Sequence, residues 1–313
     1  MSSGSNANYE KLQPLVIEIR GKATVIERLT PRLRNIVGKM EGSFPIANQR
    51  PGEYWKMAFL VNSLIRIRLL LEQNFPYLEP VSLLGSTRYL FELTVWLKLL
   101  QLDARYGLVC YYELLRQQRD FYAASKRQAE REISYLRNFE TFEEALLKET
   151  ISAAMNIPQE AGRMTAIHQA HARVAVGIDE DASRRFSLYA EQARRNGYGF
   201  QAHLVETKVV PSHAKAVNDI ESELRAFESQ LGGDVRALAE QRWNWKRQAE
   251  KVGMGDEYEF VYTYTSLLMH ATPVSIITDQ KNLEVEEIRM FLKYALVRII
   301  DVIRMAEELV AAG

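Results

Sequence analysis

Apolar residues recur along most of this chain at the three- and four-residue intervals of an α-helix. The pattern predicts helices at roughly 8–39, 52–74, 82–102, 106–138, 142–155, 181–196, 213–231, 235–251, 256–271 and 283–310. The alternation that marks a strand is nearly absent, and its best instance is the short segment Thr207–Val210. The sequence therefore predicts an all-α protein built as a multi-helix bundle.

Proline, glycine and capping residues mark the ends of the predicted helices. Pro31 is expected to kink or interrupt the first helix, because proline lacks the backbone N–H that a helix interior requires. Gly232 and Gly233 end a later one. Thr141 and Glu144 have the spacing of a capping box, which predicts that a new helix begins near residue 142.

The helix predicted at 106–138 forms a long arm with a single apolar row. Residues seven apart on it are apolar, namely Leu108, Leu115, Tyr122, Ala129 and Leu136. The companion row that a coiled coil needs is mostly polar, namely Gln118, Ser125 and Glu132. Such an arm docks along one neighbour and leaves its basic residues on a solvated face balanced by nearby acids. One-sided arms often pair between copies, which makes a homodimer one expectation.

Residues 156–212 differ in composition from the sequence on either side. They contain four glycines, the acidic run Asp179–Asp181 and three of the five histidines, with weak apolar periodicity. We interpret this segment as a looser helical insert or lid. The predicted organisation is an N-terminal helical hairpin at 1–80, a core helical bundle at 81–155 and 213–313, and the insert at 156–212.

Composition narrows the functional classes. The chain has 313 residues with 40 basic and 40 acidic side chains, so its net charge offers no global attraction to nucleic acid or an anionic membrane. Cys110 is the only cysteine, which excludes an intramolecular disulfide and a thiolate zinc site. No apolar run approaches the ~20 residues of a membrane span, and residues 1–10 lack the apolar centre of a secretory signal. We expect a cytoplasmic protein without membrane contact.

Familiar catalytic motifs are missing from the sequence. The phosphate-binding loops, the zinc-protease helix motif, the hydrolase elbow and the kinase set do not occur. His168 and His171 could share one helical face, but no third ligand stands at a diagnostic spacing, so we predict neither a metal nor a cofactor. Arg163 and His168 match the loose R-x(4–6)-H pattern of HEPN ribonucleases, a match that five histidines would produce about once by chance.

Arg88 and Glu92 form a polar pair within an otherwise apolar helix. They lie four residues apart and therefore face the same side. Charged groups in so hydrophobic a setting need partners. The pair either braces the core by itself or offers Arg88 to an anion while Glu92 holds it in place.

A second polar arrangement runs along the helix predicted at 256–271. Tyr258, Tyr262, Ser266 and His270 recur every fourth residue and would form one slanted stripe on that helix. Apolar residues fill its other faces, so we expect a largely buried helix. Buried polar groups require hydrogen-bond partners, so the stripe indicates either a structural network or a site.

These residues resemble a bacterial helical family known as domain of unknown function 5677. The resemblance covers about 82–122 and 235–305, outside the insert. It depends on Arg88-Tyr-Leu-Phe-Glu92, Trp96, Asp103, Tyr258-x3-Tyr262-x3-Ser266-x3-His270 and Thr272-Pro273. The family has no established activity to carry over, and its similarity to HEPN-like defence proteins is a general one of helical architecture plus polar Arg and His positions.

Three functional hypotheses follow. The first is a non-catalytic module that binds a protein or RNA partner through the long arm. The second is a metal-independent ribonuclease or phosphoryl-transfer enzyme in which Arg88 binds phosphate, Glu92 orients it and His270 moves the proton, assisted by Tyr262 and Ser266. The third is a small-molecule or nucleotide sensor whose pocket is the same polar stripe.

Overall fold

The protein is helical throughout the part of the chain that its computed structural model describes. Those residues are 11–75, 78–239, 243–277 and 283–312, and they contain no strand. This confirms the all-α prediction. Within the same ranges, no helix combines the length and apolar character that crossing a membrane requires.

The chain divides into two compact units. The first comprises residues up to 113 and from 227 onward, and the second comprises residues 114–226. The segment 156–212 therefore lies wholly within the second unit. That this segment acts as a lid stays a prediction.

The described residues form fourteen α-helical segments. The first seven are α1 Gln13–Ser43, α2 Gly52–Asn74, α3 Pro80–Leu102, α4 Arg105–Ala154, α5 Glu160–Arg184, α6 Ala190–Asn196 and α7 Tyr198–Leu204. The others are α8 Val210–Gln230, α9 Gly233–Ala239, α10 Trp245–Lys251, α11 Gly255–Glu257, α12 Thr263–Met269, α13 Pro273–Ile277 and α14 Val285–Ala312. Ala47–Gln49 forms a 3₁₀ turn, while Val205–Val209 and Tyr258–Tyr262 are π-helical.

The core of the first unit lies among α1, α2, α3 and α14. Leu12, which caps the start of α1, and Ile19, Ile26 and Leu33 on α1 are seven residues apart and fully buried, so one continuous row faces the neighbouring helices. Helix α3 is apolar on nearly every side. It therefore packs against this core on one face and, through Phe91, against a second hydrophobic cluster on another. Burying each large aliphatic side chain contributes roughly 1.5–3 kcal/mol, so these helices fix the position of α3.

Two glycines allow the start of α2 to touch the start of α4. A Cβ atom on Gly107 would overlap the carbonyl oxygen of Gly52, and one on Gly52 would overlap the carbonyl oxygen of Ala104. The obstruction in each case is backbone rather than a movable side chain. Glycine is required at this crossing because any side chain would push the helices apart.

The second unit has a smaller core rich in alanine. Its buried centre is formed by Ala129, Leu136 and Phe139 of α4, Ile178 and Ala182 of α5, and Ala190, Ala193, Tyr198, Ala202 and Val205 from α6 onward. Small side chains bury little apolar area but let helix backbones approach closely.

One local prediction was wrong. Helix α4 continues past the predicted capping box, and the Thr141 hydroxyl donates to the Arg137 carbonyl (3.1 Å) instead of capping a new helix. The best strand candidate, Thr207–Val210, is helical like the rest, and the Thr207 hydroxyl donates to the His203 carbonyl (2.8 Å). Helix α1 contains Pro31 without an interruption, and a kink there stays a prediction. In the first two cases a threonine that could also cap a helix or enter a strand bonds back within a helix.

Candidate functional site

Arg88 lies at the centre of a polar cluster in the first unit. Its Nε donates to Oε1 of Glu92 (3.1 Å), and its Nη1 donates to the Ser266 hydroxyl (3.0 Å). The guanidinium carbon lies 4.1 Å from the centre of the Tyr262 ring, in the range of a cation–π contact. The Arg88 side chain is 22% exposed and that of Glu92 27% exposed, so the cluster is half-buried.

A column of aromatic rings supports this cluster. Tyr258 stacks on Tyr262 with ring centres 4.8 Å apart, and Phe91 of α3 packs at a tilt against Tyr258. Both tyrosines lie in the π-helical turn Tyr258–Tyr262, just before α12. The column places the Tyr262 ring under the Arg88 guanidinium, so α12 is tied to α3 by both polar and aromatic contacts.

His270 does not continue the stripe. Helix α12 ends at Met269, and the His270 backbone is extended (φ −92°, ψ 152°). The side chain is exposed and makes no hydrogen bond or ion pair with any residue in the described ranges. The structure thus brings four of the five predicted site residues together, namely Arg88, Glu92, Tyr262 and Ser266, and leaves the imidazole outside that set.

The helix that carries the stripe is also more exposed than its sequence predicts. Phe260 is half exposed, and Leu267 and Met269 are exposed as well. The prediction of a largely buried helix was wrong: α12 contacts α3 through Ser266 and α14 through Tyr264, and its remaining surface faces solvent. Only Val261 and Thr265 are buried between Tyr258 and His270.

The contacts of the cluster hold α3 and α12 together. Glu92 balances the charge of Arg88, and two of the five guanidinium donors are already used. An incoming phosphate would have to compete with Glu92 for the same cation. Within the described ranges, no group of three or more His, Cys, Asp and Glu side chains is placed to hold a metal ion.

A different feature, which the sequence did not reveal, lies between α5 and α6 in the second unit. Phe186 has φ +53°, in the left-handed region that L-residues with large side chains rarely adopt. Its side chain is 83% exposed, and that of Leu188 is 72% exposed. We call Arg185–Leu188 the apolar loop, since it holds two large hydrophobic side chains in solvent.

The backbone of the apolar loop is fixed by α4. Glu132, which is fully buried, accepts hydrogen bonds from the Ser187 hydroxyl and from the Tyr189 N–H (3.2 Å). Gln128 donates to the carbonyl oxygen of Phe186 (3.3 Å). The Ser187 N–H donates to the Ala182 carbonyl (2.9 Å). These hydrogen bonds hold the loop backbone in its strained conformation, and that conformation keeps the Phe186 and Leu188 side chains in solvent.

Glu132 itself is incompletely satisfied. Its Oε2 atom is buried without a hydrogen-bond partner in the structure. Burying a polar atom without a partner costs free energy. Its charge also contributes, after burial, to raising the pKa of the neighbouring Tyr189 hydroxyl. The fold thus sustains two unfavourable features, a strained Phe186 and a buried carboxylate, at one loop.

Positive charge borders the apolar loop. Arg127 and Arg131 are exposed and one turn apart on α4, beside Gln128. Neither has a carboxylate within 4 Å among the described residues, and Arg131 donates to the Gln128 side chain (2.8 Å). Arg185, in contrast, pairs with Asp181 (2.8 Å). Two uncompensated cations therefore lie near two exposed apolar side chains.

Comparison with known proteins adds no assignment: no protein-family model, no curated protein and no solved structure matches this chain.

Proposed function

We propose that this chain is a non-catalytic protein-interaction module whose apolar loop recognises the partner. The observation that carries the proposal is the conformation of Phe186, which is strained, rigidly held and exposed. Strain in a left-handed residue costs of order 1–3 kcal/mol and persists only where the surroundings impose it. An exposed phenylalanine and leucine at such a position match the aromatic anchors that dominate protein interfaces.

The rigidity of the apolar loop supports a binding role. A loop that is ordered before binding loses little conformational entropy when the complex forms. The hydrogen bonds from Ser187, Tyr189 and Gln128 provide that order. We infer a partner protein with an apolar pocket for Phe186 and acidic side chains at its rim, which would meet Arg127 and Arg131.

A protein partner fits the charge distribution better than RNA. The second unit contains 16 basic and 16 acidic residues, so it has no net charge to attract a phosphate backbone. Most of its exposed arginines are also paired with neighbouring acids, as in Arg184 with Glu180 and Arg194 with Asp179.

The polar cluster of the first unit supports the same conclusion. Arg88 is paired with Glu92 and bonded to Ser266, which is what a brace between helices requires. The proposed ribonuclease mechanism needs Arg88 free for phosphate and His270 beside it. The Cys110 thiol is no substitute nucleophile, since burial raises its pKa to about 12. We retain the resemblance to domain of unknown function 5677 as a proposal, and it is compatible with a binding role.

A photocrosslinking amino acid at position 186 tests the proposal. We expect it to capture a distinct protein in cells of the source organism that the same probe at Val176, another exposed position of the second unit, does not capture. The captured protein is then purified, and its Kd is measured with wild-type protein, Phe186→Ser and Arg131→Glu. Loss of a hot-spot aromatic raises Kd by about 30-fold or more.

Three outcomes would contradict this proposal. Capture of the same proteins at positions 186 and 176 would mean that the loop is not selective. A captured protein whose Kd is unchanged by Phe186→Ser would mean that Phe186 is not an anchor. Capture of a second copy of the chain would replace the heterologous partner by self-association.

RNA cleavage separates the catalytic alternative from the binding role. Purified wild-type protein and His270→Ala are incubated with RNA in EDTA, and both are melted. We expect no cleavage by either protein. Cleavage by the wild type that is lost in a His270→Ala variant of unchanged melting temperature would establish a metal-free active site instead.

A further inference from the structure

Two adjoining cavities run between α2 and α3 in the first unit. They enclose about 310 Å³ and about 390 Å³. Arg66, Leu69 and Tyr89 line both, so the two form one continuous groove. Together they fall in the size range of small-molecule sites.

The two ends of this groove differ in chemistry. Hydrogen-bonding side chains line one end, namely Gln73, Asn74, Ser82 and Ser86. The other end is mostly apolar, with Phe59, Ile65 and Leu93 among its lining residues. Arg66 lies where the two ends meet. The groove is therefore amphipathic, with a cation at its middle.

Arg66 is available to an incoming anion. It is exposed, no acidic side chain lines either cavity, and no carboxylate of the described residues lies within 4 Å of it. Arg68, two residues later on the same helix, lies near both Glu27 (3.8 Å) and Glu72 (3.4 Å). Burial raises the pKa of the Tyr89 hydroxyl, and the adjacent Arg66 opposes that rise, so the tyrosine stays neutral beside the cation.

Ser86 adds a hydroxyl to the lining of the groove. The residue is 5% exposed, and its hydroxyl makes no hydrogen bond with the described residues. Thr87 and Thr94 on the same helix, in contrast, each donate to the carbonyl four residues earlier (2.8 Å). The Ser86 hydroxyl is therefore available to donate to a ligand in the groove.

We infer that this groove binds a small amphipathic carboxylate. A single cation matches a monoanion better than a doubly charged phosphate. The carboxylate would accept from Arg66 and from the hydroxyl of Ser86, and its hydrocarbon chain would cover Phe59 and Leu93. Arg66 and Phe59 are seven residues apart, about 10 Å along α2, which is long enough to shelter a short acyl chain.

Octanoate is the probe, measured by calorimetric titration of the full chain. Octanol tests the contribution of the charge, and acetate tests that of the chain. We expect octanoate to bind, with both controls at least about tenfold weaker. Arg66→Gln should weaken octanoate about tenfold or more, while Arg68→Gln, which alters a cation outside both cavities, should leave it unchanged.

Three results would overturn the inference. Octanol that binds as tightly as octanoate would indicate non-selective apolar adsorption. Equal affinity of wild type and Arg66→Gln would remove the cation from the site, and absence of octanoate binding would remove the site. Phe186→Ser should bind octanoate like wild type, so failure here is distinguishable from failure of the protein-interaction proposal.

Discussion

Replacing Phe186 by asparagine should stabilise the second unit while removing its binding anchor. Phe186 adopts φ +53°, and a bulky L-residue in that region costs roughly 1–2 kcal/mol. Asparagine tolerates this conformation far better, because its side chain hydrogen-bonds locally. Stability and binding should therefore change in opposite directions, as expected where strain is retained for function.

The magnitude follows from the exposure of the side chain. Phe186 is 83% exposed, so truncating it loses only about a sixth of the roughly 1.5–3 kcal/mol that a buried phenylalanine contributes, or about 0.25–0.5 kcal/mol. Phe186→Asn should then gain about 0.5–1.5 kcal/mol. Phe186→Ala keeps a Cβ and hence most of the strain, so its free energy of unfolding should fall by a few tenths of a kcal/mol. Phe186→Gly relieves the strain but loses ~0.5–1 kcal/mol to backbone entropy, and should fall between them.

Hydrogen exchange at the loop is the appropriate assay, because a chain of two units need not unfold in one step. The Ser187 and Tyr189 amides donate to Ala182 and Glu132, so their protection reports on opening of the loop. We expect about fivefold greater protection in Phe186→Asn than in wild type, as ~1 kcal/mol implies. Equal protection in the asparagine and alanine variants would refute the argument that backbone strain is stored at this residue.

Three further outcomes are expected. Gly107→Ala should cost at least about 1–3 kcal/mol in urea unfolding, because its Cβ meets backbone, whereas Gly38→Ala, which meets nothing, should gain up to ~1 kcal/mol. Glu132→Ala should destabilise the second unit by ~2 kcal/mol in urea because two donors lose their acceptor, and Glu132→Gln should cost less. Hydrogen bonds from Arg105 hold the pKa of Asp103 below its usual 3.8, so the stabilisation is complete above that pH and is lost as pH falls below it. Urea unfolding of Asp103→Asn should therefore differ from wild type at pH 7 and much less at pH 3.

The helices were predictable wherever local residues signal their ends. The pattern placed one helix at 52–74, as in α2, since Pro51 precedes it and Phe75-Pro76 follows it. The break at Thr141 was wrong because the same hydroxyl can cap a helix or bond back inside one, and nearby residues do not decide between them. Helix α5 was largely missed because its alanine-rich stretch shows little apolar periodicity.

Only the local contacts of the polar cluster could be predicted from the sequence. Arg88 and Glu92 are four residues apart on one helix, so their contact is a local property. The contact from Arg88 to Ser266 joins residues 178 positions apart and depends on how α12 packs on α3. The sequence did carry a signal that His270 lies outside the cluster. Proline disfavours a helical conformation in the residue that precedes it, so Pro273 favours a helix end before that point.

The apolar loop had no such signal. Its strain arises from hydrogen bonds to Glu132, more than 50 residues away in sequence. In the sequence Glu132 belongs to a polar row of the long arm, a position that predicts solvent exposure. Only the packing of α4 against the turn after α5 converts that carboxylate into a buried acceptor.

The π-helical turn Tyr258–Tyr262 contains one residue more than an α-helical turn would need. A π turn accommodates a surplus residue while the helix on either side keeps its facing. Deleting the exposed Glu259 would tighten the wide turn into an ordinary one and keep Ser266 against Arg88. The same deletion in the middle of α1 would rotate every following side chain of that helix by about 100° and turn its buried row toward solvent. Tolerance of a shortened chain is thus confined to particular turns, and this is one of them.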